Sequence, residues 1–381
     1  MKPSNAKANV GVLPARRRKK VRLVDLEADV WTGVIGVAAA YLAFCGLVWA
    51  YGESPRAMGA LVLEGTWGSP YGIGQVLFKA TPLLFTGLAV HVALRVGLFN
   101  VGAEGQVAVA GLAVGAVGAA LPVHTPAVVA LPLLIVVASL AGAAWAAPAG
   151  ALRAVVGAHE VIATILLNRV ADALVGLLLG LGLAQKGTVR TSEVAGGRLS
   201  RLDRFVHAFS GSAASTAIVI AALLLAVVLW ILPRTRAGRE GELVAQNAEA
   251  CRAEGIPVRW RRAQAMLLSG GIAGLASLGT VLGYKGYFEQ GLGAGAGFTG
   301  LAVAILGRGR WFGVVFAALL FGTLAQGGLA INAYVPAEAM EVIVGVVIVA
   351  VGLGDASLRR WLTEQLRAVV VRKTREGESL E

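Results

Sequence analysis

The sequence predicts an all-α polytopic membrane protein with about ten transmembrane helices, some of them broken or re-entrant. Three observations lead there. Hydrophobic residues make up 57% of the 381 positions and charged residues 15%, with a mean hydropathy of +0.73, whereas soluble proteins carry about 25% charged residues. Apolar runs of spanning length recur along most of the chain; a helix needs roughly 20 such residues because its backbone polar groups meet no water in the bilayer. Glycine, 51 residues in all, is abundant, and both halves contain a glycine-rich polar break.

Residues 1–30 form a polar leader with the run Arg16 to Lys20, too long for the charged region of an ordinary signal peptide, and read as a retained cytoplasmic tail. Spans follow near 31–51, 78–95, 104–121, 127–151, 160–183, 214–233, 263–283, 297–307, 311–331 and 338–356. The eighth is too short to cross alone, so it begins earlier, tilts or forms a half-helix. With the N-terminus inside, an even number of spans returns the 358–381 tail and the 234–262 loop to the cytoplasm. That loop carries Arg234, Arg236, Arg239, Arg252, Arg259, Arg261 and Arg262, as the positive-inside bias requires. The 184–213 segment then lies outside, despite Lys186, Arg190, Arg198, Arg201 and Arg204. No polar segment is long enough to bury its own core, so 31–357 reads as one membrane domain in the bacterial inner membrane.

The net charge of +12 raises nucleic acid as a partner, but the basic residues lie in short segments between apolar runs, where topology accounts for them. No nucleic-acid partner is expected. Cys45 lies in an apolar run and Cys251 in a basic loop, and the 4 histidines are scattered, so neither a disulfide nor a metal site is expected. Glycines four apart, Gly111 with Gly115, Gly176 with Gly180 and Gly270 with Gly274, suit close helix packing.

In LFNVGAEGQ, Asn100, Glu104 and Gln106 stand between two apolar runs, and Gly97, Gly102 and Gly105 permit a non-helical backbone. Two readings stay open: a turn with Glu104 solvated beside Arg95, or a polar segment lining a pathway. In HEVIATILLNRVADALV, Glu160, Thr164, Asn168 and Asp172 recur every four residues as a polar stripe facing the bundle interior, and Arg169 can pair with Asp172. In the 234–262 loop, Asn247 caps a short amphipathic helix closed by Gly255, with Pro257 beyond. That helix either rests on anionic lipid or docks into a cytoplasmic partner. The run GLGAGAGFTG follows no strand of a βαβ unit, so it reads as a re-entrant or flexible turn rather than a dinucleotide loop. The phosphate loop of P-loop ATPases, the esterase elbow and the zinc-protease helix do not occur, so no enzyme is expected.

Five ordered segments, TPLLFTGLAVHVALRVGLFNVGAEGQ, EVIATILLN, NAEACRAEGIPV, LSGGIAGLAS and GFTGLAVAILGRGRWFGVVFAALLFGTLAQGG, resemble the binding-protein-dependent ABC permeases of the ribose and branched-chain amino acid type. The long leader with TPLLFTGLA and GLFNVGAEGQ is most similar to permeases of nucleoside importers. The resemblance implies an ABC importer permease fold, a second homologous permease subunit, a substrate-binding lipoprotein and ATPase subunits that bind the ATP, this chain needing no cofactor. It makes Asn100, Glu104, Gln106, Thr164, Asn168, Phe298 and Thr299 the pathway candidates, and Asn247, Glu249, Ala250, Arg252 and Gly255 the ATPase-coupling candidates. Two places depart from the family pattern. Arg169 replaces an aromatic or apolar residue, and Cys251-Arg252-Ala253-Glu254 replaces an Ala-Ala-Arg-Tyr-like run. A sugar permease and a self-sufficient secondary transporter are the alternatives.

Overall fold

Helix starts are written locally. In the computed structural model, which describes Ala38 and residues 41–307 and 309–353, the Ser69 hydroxyl accepts from the Gly72 N–H at 3.0 Å. Pro70, whose missing N–H is harmless in a first turn, opens a 25-residue helix. The chain forms α1 (Tyr41–Ala50), α2 (Pro55–Thr66), α3 (Pro70–Leu94), α4 (Ala103–Ala120), α5 (Ala127–Val155), α6 (Glu160–Leu178) and α7 (Ala217–Ile231). Then come α8 (Arg236–Gln246), α9 (Ala248–Ala253), α10 (Val258–Gly274), α11 (Ser277–Thr280), α12 (Ala296–Gly307), α13 (Trp311–Ala330) and α14 (Ala337–Leu353). Among the described residues there is no strand, only isolated bridges.

Among the described residues, seven helical stretches are long and apolar enough to cross a membrane: Pro70–Leu94, Ala103–Ala120, Ala127–Val155, Glu160–Leu183, Ala217–Arg234, Val258–Lys285 and Trp311–Ala330. The chain is a multi-pass membrane protein. α12 remains short at 12 residues, as its sequence indicated. Arg56–Ala337 form one unit; Tyr41–Pro55 and Glu338–Leu353 are the described parts of another, holding α1 and most of α14. The leader, the start of the first expected span and the 358–381 tail lie outside the described residues.

In the larger unit, α3 is the central helix, buried from Leu83 to Ala93 and packed by α7, α10, α12 and α13. Lipid is as apolar as leucine, so helix association relies on close backbone approach at small residues. α5 and α10 meet this way: a Cβ added to Gly142 would lie 2.3 Å from the Gly270 carbonyl oxygen and 2.9 Å from the Gly274 Cα. Gly111 and Gly115 serve a different neighbour. A Cβ at either would fall 2.8 or 2.7 Å from Phe288, a fully buried ring carried by a non-helical segment rather than a helix. Gly176 faces the Gln290 amide, and a Cβ on Gly180 would meet nothing within 4 Å, so that pair makes no helix contact among the described residues.

The α10–α11 stretch ends in a π-helical turn, Val281–Lys285, closed by Gly286 at φ +80°. Residues 286–295 then run back along α4. The polar 184–213 connection is bonded to that stretch: Thr191 N–H donates to the Phe288 carbonyl at 2.9 Å, Val194 N–H to Gly286 at 2.8 Å and Leu199 N–H to Leu282 at 3.1 Å. Such bonds satisfy backbone groups that irregular chain would otherwise leave open.

Candidate functional site: a polar wall joined to a capped loop helix

α3 stops at Leu94, and Gly97 turns the chain at φ +73°. Instead of leaving the bundle, the chain re-enters it: Leu98, Asn100 and Val101 are buried before α4 starts at Ala103. The depth can be read from Ser269 of α10, whose hydroxyl accepts from Asn100 Nδ2 at 2.8 Å and donates to the Ala89 carbonyl at 2.6 Å. Ala89 lies five residues before Leu94, about 7.5 Å inside the end of α3 at 1.5 Å per residue. Asn100 and Gln106 bond through both ends of their amides, at 2.9 and 3.0 Å, and Asn100 Oδ1 also accepts from the Gly102 N–H. Asn168 of α6 closes the same loop from the other side, accepting from the Gly105 N–H and donating to the Val101 carbonyl, both at 3.0 Å. Thr164 Oγ1 donates to the Glu160 carbonyl at 2.8 Å. Polar groups at this depth are tolerated because each finds a partner.

The second glycine-rich break packs onto the first. A Cβ on Gly293 would sit 2.4 Å from the Glu104 carbonyl oxygen, and one on Gly297 would sit 2.3 Å from that of Val101. Only glycine allows this approach. The Gly295 N–H faces the Glu104 carboxylate, with Arg169 and Asp172 of α6 in electrostatic reach. Arg169 and Asp172 pair at 3.7 Å, with side chains 81% and 45% exposed. Phe298 is exposed and Thr299 half-buried in the first turn of α12. The pathway candidates therefore divide. Asn100, Gln106, Thr164 and Asn168 are buried framework, with polar groups already bonded within the protein, while Glu104, Phe298 and Thr299 reach the surface of the wall.

The loop after α7 is also built from local signals. Thr235 caps α8 by accepting from the Gly238 N–H at 3.0 Å. Asn247 caps α9, its Oδ1 accepting from the Glu249 and Ala250 N–H groups at 3.1 and 3.0 Å. The exit is a Schellman turn: Gly255, at φ +76°, donates to the Arg252 carbonyl, and Ile256 donates to that of Cys251 at 2.9 Å. Cys251, Val244 and Val258 form a small core against which Ala248 and Ile256 pack. Asn247, Glu249, Ala250, Arg252 and Gly255 are exposed on this platform.

Glu240 of α8 is buried between Arg236, at 2.5 Å, and Arg261 of α10, at 2.6 Å. The Arg236 hydrogen bond, followed by that of Arg261, holds the Glu240 carboxyl below the usual carboxylate range; the same bond raises Arg236. Arg95 pairs with Glu242 of α8, so it is not the partner of Glu104. α8 also lies tight on the turn below α3, where a Cβ on Gly97 would be 3.3 Å from the Ala245 Cα. Residues 95–102 thus touch the loop platform at one end and the polar wall at the other. Ser269, Glu240 and Glu242 escaped the sequence reading. The two glutamates left a signal, as acidic residues two apart in a basic loop; Ser269 left none.

Comparison with known proteins agrees with this architecture. The family model described as branched-chain amino acid transport system/permease component matches residues 72–352. The guanosine ABC transporter permease protein NupP of Bacillus subtilis is 34% identical over 336 residues, covering 86% of this chain and 93% of the relative. The glucose ABC transporter permease protein TsgB13 of Haloferax volcanii is 36% identical over 310 residues, covering 77% and 78%. The nucleoside ABC transporter permease protein NupB of Lactococcus lactis is 28% identical over 334 residues, covering 86% and 89%. With the family match running through most of its length and the break, wall and loop helix in place, the chain belongs to the branched-chain amino acid transport system permease component family.

Proposed function

We propose that this chain is the pathway-forming permease subunit of an ATP-driven importer for nucleosides. The observation that carries the reading is the continuity of residues 95–102, which link a capped, exposed loop helix to a polar wall inside the bundle. In this reading α9 sits against a separate ATPase subunit in the cytoplasm, a second permease subunit completes the pathway, and a lipoprotein delivers the solute outside. Both termini lie in the cytoplasm, the chain resides in the inner membrane among its lipids, and ATP is bound and hydrolysed by the partner alone. Closure of the ATPase pair moves the loop platform only because ATP binds one state better than the other.

A nucleoside is neutral, hydroxyl-rich and aromatic at one end. Glu104 and Asp172 offer charged acceptors to hydroxyl and N–H donors, and exposed Phe298 offers a ring face to a base. The test is reconstitution of the permease pair with its ATPase and lipoprotein in liposomes, followed by uptake of labelled guanosine and glucose. ATP-dependent guanosine uptake supports the proposal. Uptake by the chain alone, driven by an ion gradient, would make it a secondary transporter instead. The Haloferax relative favours a second reading, a monosaccharide permease, which glucose uptake without guanosine uptake would establish.

A further inference from the structure

On the face that carries the loop platform, a cavity of about 360 Å3 opens between the last turn of α5 and the first turns of α10, beside α9. Arg153, Arg252, Arg259 and Arg262 line it. Four cations and no carboxylate stand among the lining residues; Glu160, 4% exposed, pairs with Arg153 at 3.3 Å. Arg153 is already engaged, its Nε against the Glu160 carboxylate and its Nη1 on the Gly157 carbonyl at 3.2 Å, whereas the buried Arg262 Nε has no hydrogen-bond acceptor in the protein. A buried charged donor without an acceptor is unfavourable, and guanidinium forks fit phosphate oxygens in pairs.

The rim is apolar. Val155 and Val156, which also line the cavity, are 75% and 70% exposed, and Trp260 is 56% exposed beside Arg259. Exposed valines next to tryptophan and arginine mark the depth where lipid headgroups meet acyl chains. A basic pocket between helices at that depth suits a lipid headgroup.

We propose that this cavity binds a phosphate group, and that the phosphate belongs to an anionic phospholipid whose glycerol and acyl chains leave over Val155 and Val156. The bound lipid would touch Arg252 on α9, placing membrane composition in contact with the loop platform. The inference concerns lipid and does not depend on which solute is carried.

The purified full-length protein, placed in nanodiscs containing equal phosphatidylglycerol and phosphatidylcholine, is the material for the test; retained lipid is counted by native mass spectrometry after extraction. Preferential retention of phosphatidylglycerol is expected, with affinity about fivefold weaker in Arg259→Gln and lower again in Arg259→Gln/Arg262→Gln. Arg259 is exposed, so its single variant decides the question even where the double variant fails to fold. Equal retention of both lipids, or undiminished phosphatidylglycerol in Arg259→Gln, would overturn the proposal. Displacement of the lipid by millimolar orthophosphate would assign the cavity to a free anion and reject the lipid source.

Discussion

Asn100 and Gln106 hold each other through both ends of their side-chain amides, six residues apart across the start of α4. With Ser269 and the Gly102 N–H, Asn100 takes part in four hydrogen bonds. At ~0.6 kcal/mol each, the average for such bonds in membrane proteins, Asn100→Ala is expected to lose about 2 kcal/mol and to strand the Gln106 amide. Unfolding of the purified variant in detergent measures this; a change below about 0.5 kcal/mol would mean that the pair does not hold the break.

Glu104 should behave differently because it lies at the wall's surface. Glu104→Gln keeps the shape and removes the charge, so stability should stay within about 0.5 kcal/mol while uptake falls roughly tenfold, the equivalent of one charge-assisted hydrogen bond. Transport assays and unfolding on the same preparation separate the two effects. Equal uptake by wild type and variant would remove Glu104 from the pathway.

What was legible in the sequence was local. The Asn247 cap and the Gly255 exit lie within ten residues of each other and need no tertiary partner, so the loop helix could be read directly. α3 begins at Pro70 rather than 78, because Gly72, Gly74 and Gln75 interrupt the apolar pattern of its first turns, although the Ser69–Pro70 start signal does mark them. α10 begins at Val258 rather than 263 for a similar reason, its first turns being rich in arginine. α2 was missed because its 12 residues, interrupted by Gly59 and Glu64, fall short of a span. Its place depends on α13, where Trp67 Nε1 donates to Thr323 Oγ1 at 3.1 Å. That the two glycine-rich breaks would touch was beyond sequence, since Gly293 and Glu104 meet only once α4 and the returning segment lie side by side.

Contact between the breaks gives a steric test. Gly293→Ala places a methyl group 2.4 Å from a backbone oxygen that cannot rotate away, and an overpacking loss of about 1–3 kcal/mol is expected. Gly59→Ala, where a Cβ meets nothing within 4 Å in the middle of α2, should gain up to ~1 kcal/mol. Comparing both midpoints by thermal unfolding tests the close approach, which similar shifts in the two would contradict.

The loop helix provides a functional test. Asn247→Ala removes both cap bonds and should weaken α9 by about 1 kcal/mol. In the assembled importer, more ATP should then be hydrolysed per solute carried, with membrane insertion unchanged; Glu249→Pro should act more strongly. An unaltered ratio in both would separate α9 from coupling.

Acid should loosen the platform through Glu240. Its carboxyl is held below the ordinary value of 4.5 by Arg236 and then Arg261, so the folded state binds this proton less readily than the unfolded state. The contribution is therefore present above about 4.5 and disappears as pH falls through the lower folded value. Stability measured from pH 6 to pH 3 should drop more steeply in wild type than in Glu240→Gln. Parallel curves would show that the two ion pairs do not contribute.

The tight seat of Gly97 on Ala245 also bears on how such a chain diverges. One residue belongs to the turn below α3 and the other to α8, and a side chain added at 97 would press on the Ala245 backbone at 3.3 Å. Among descendants of this sequence, position 97 should stay small wherever α8 keeps this seat, while the exposed face of α9 drifts more freely.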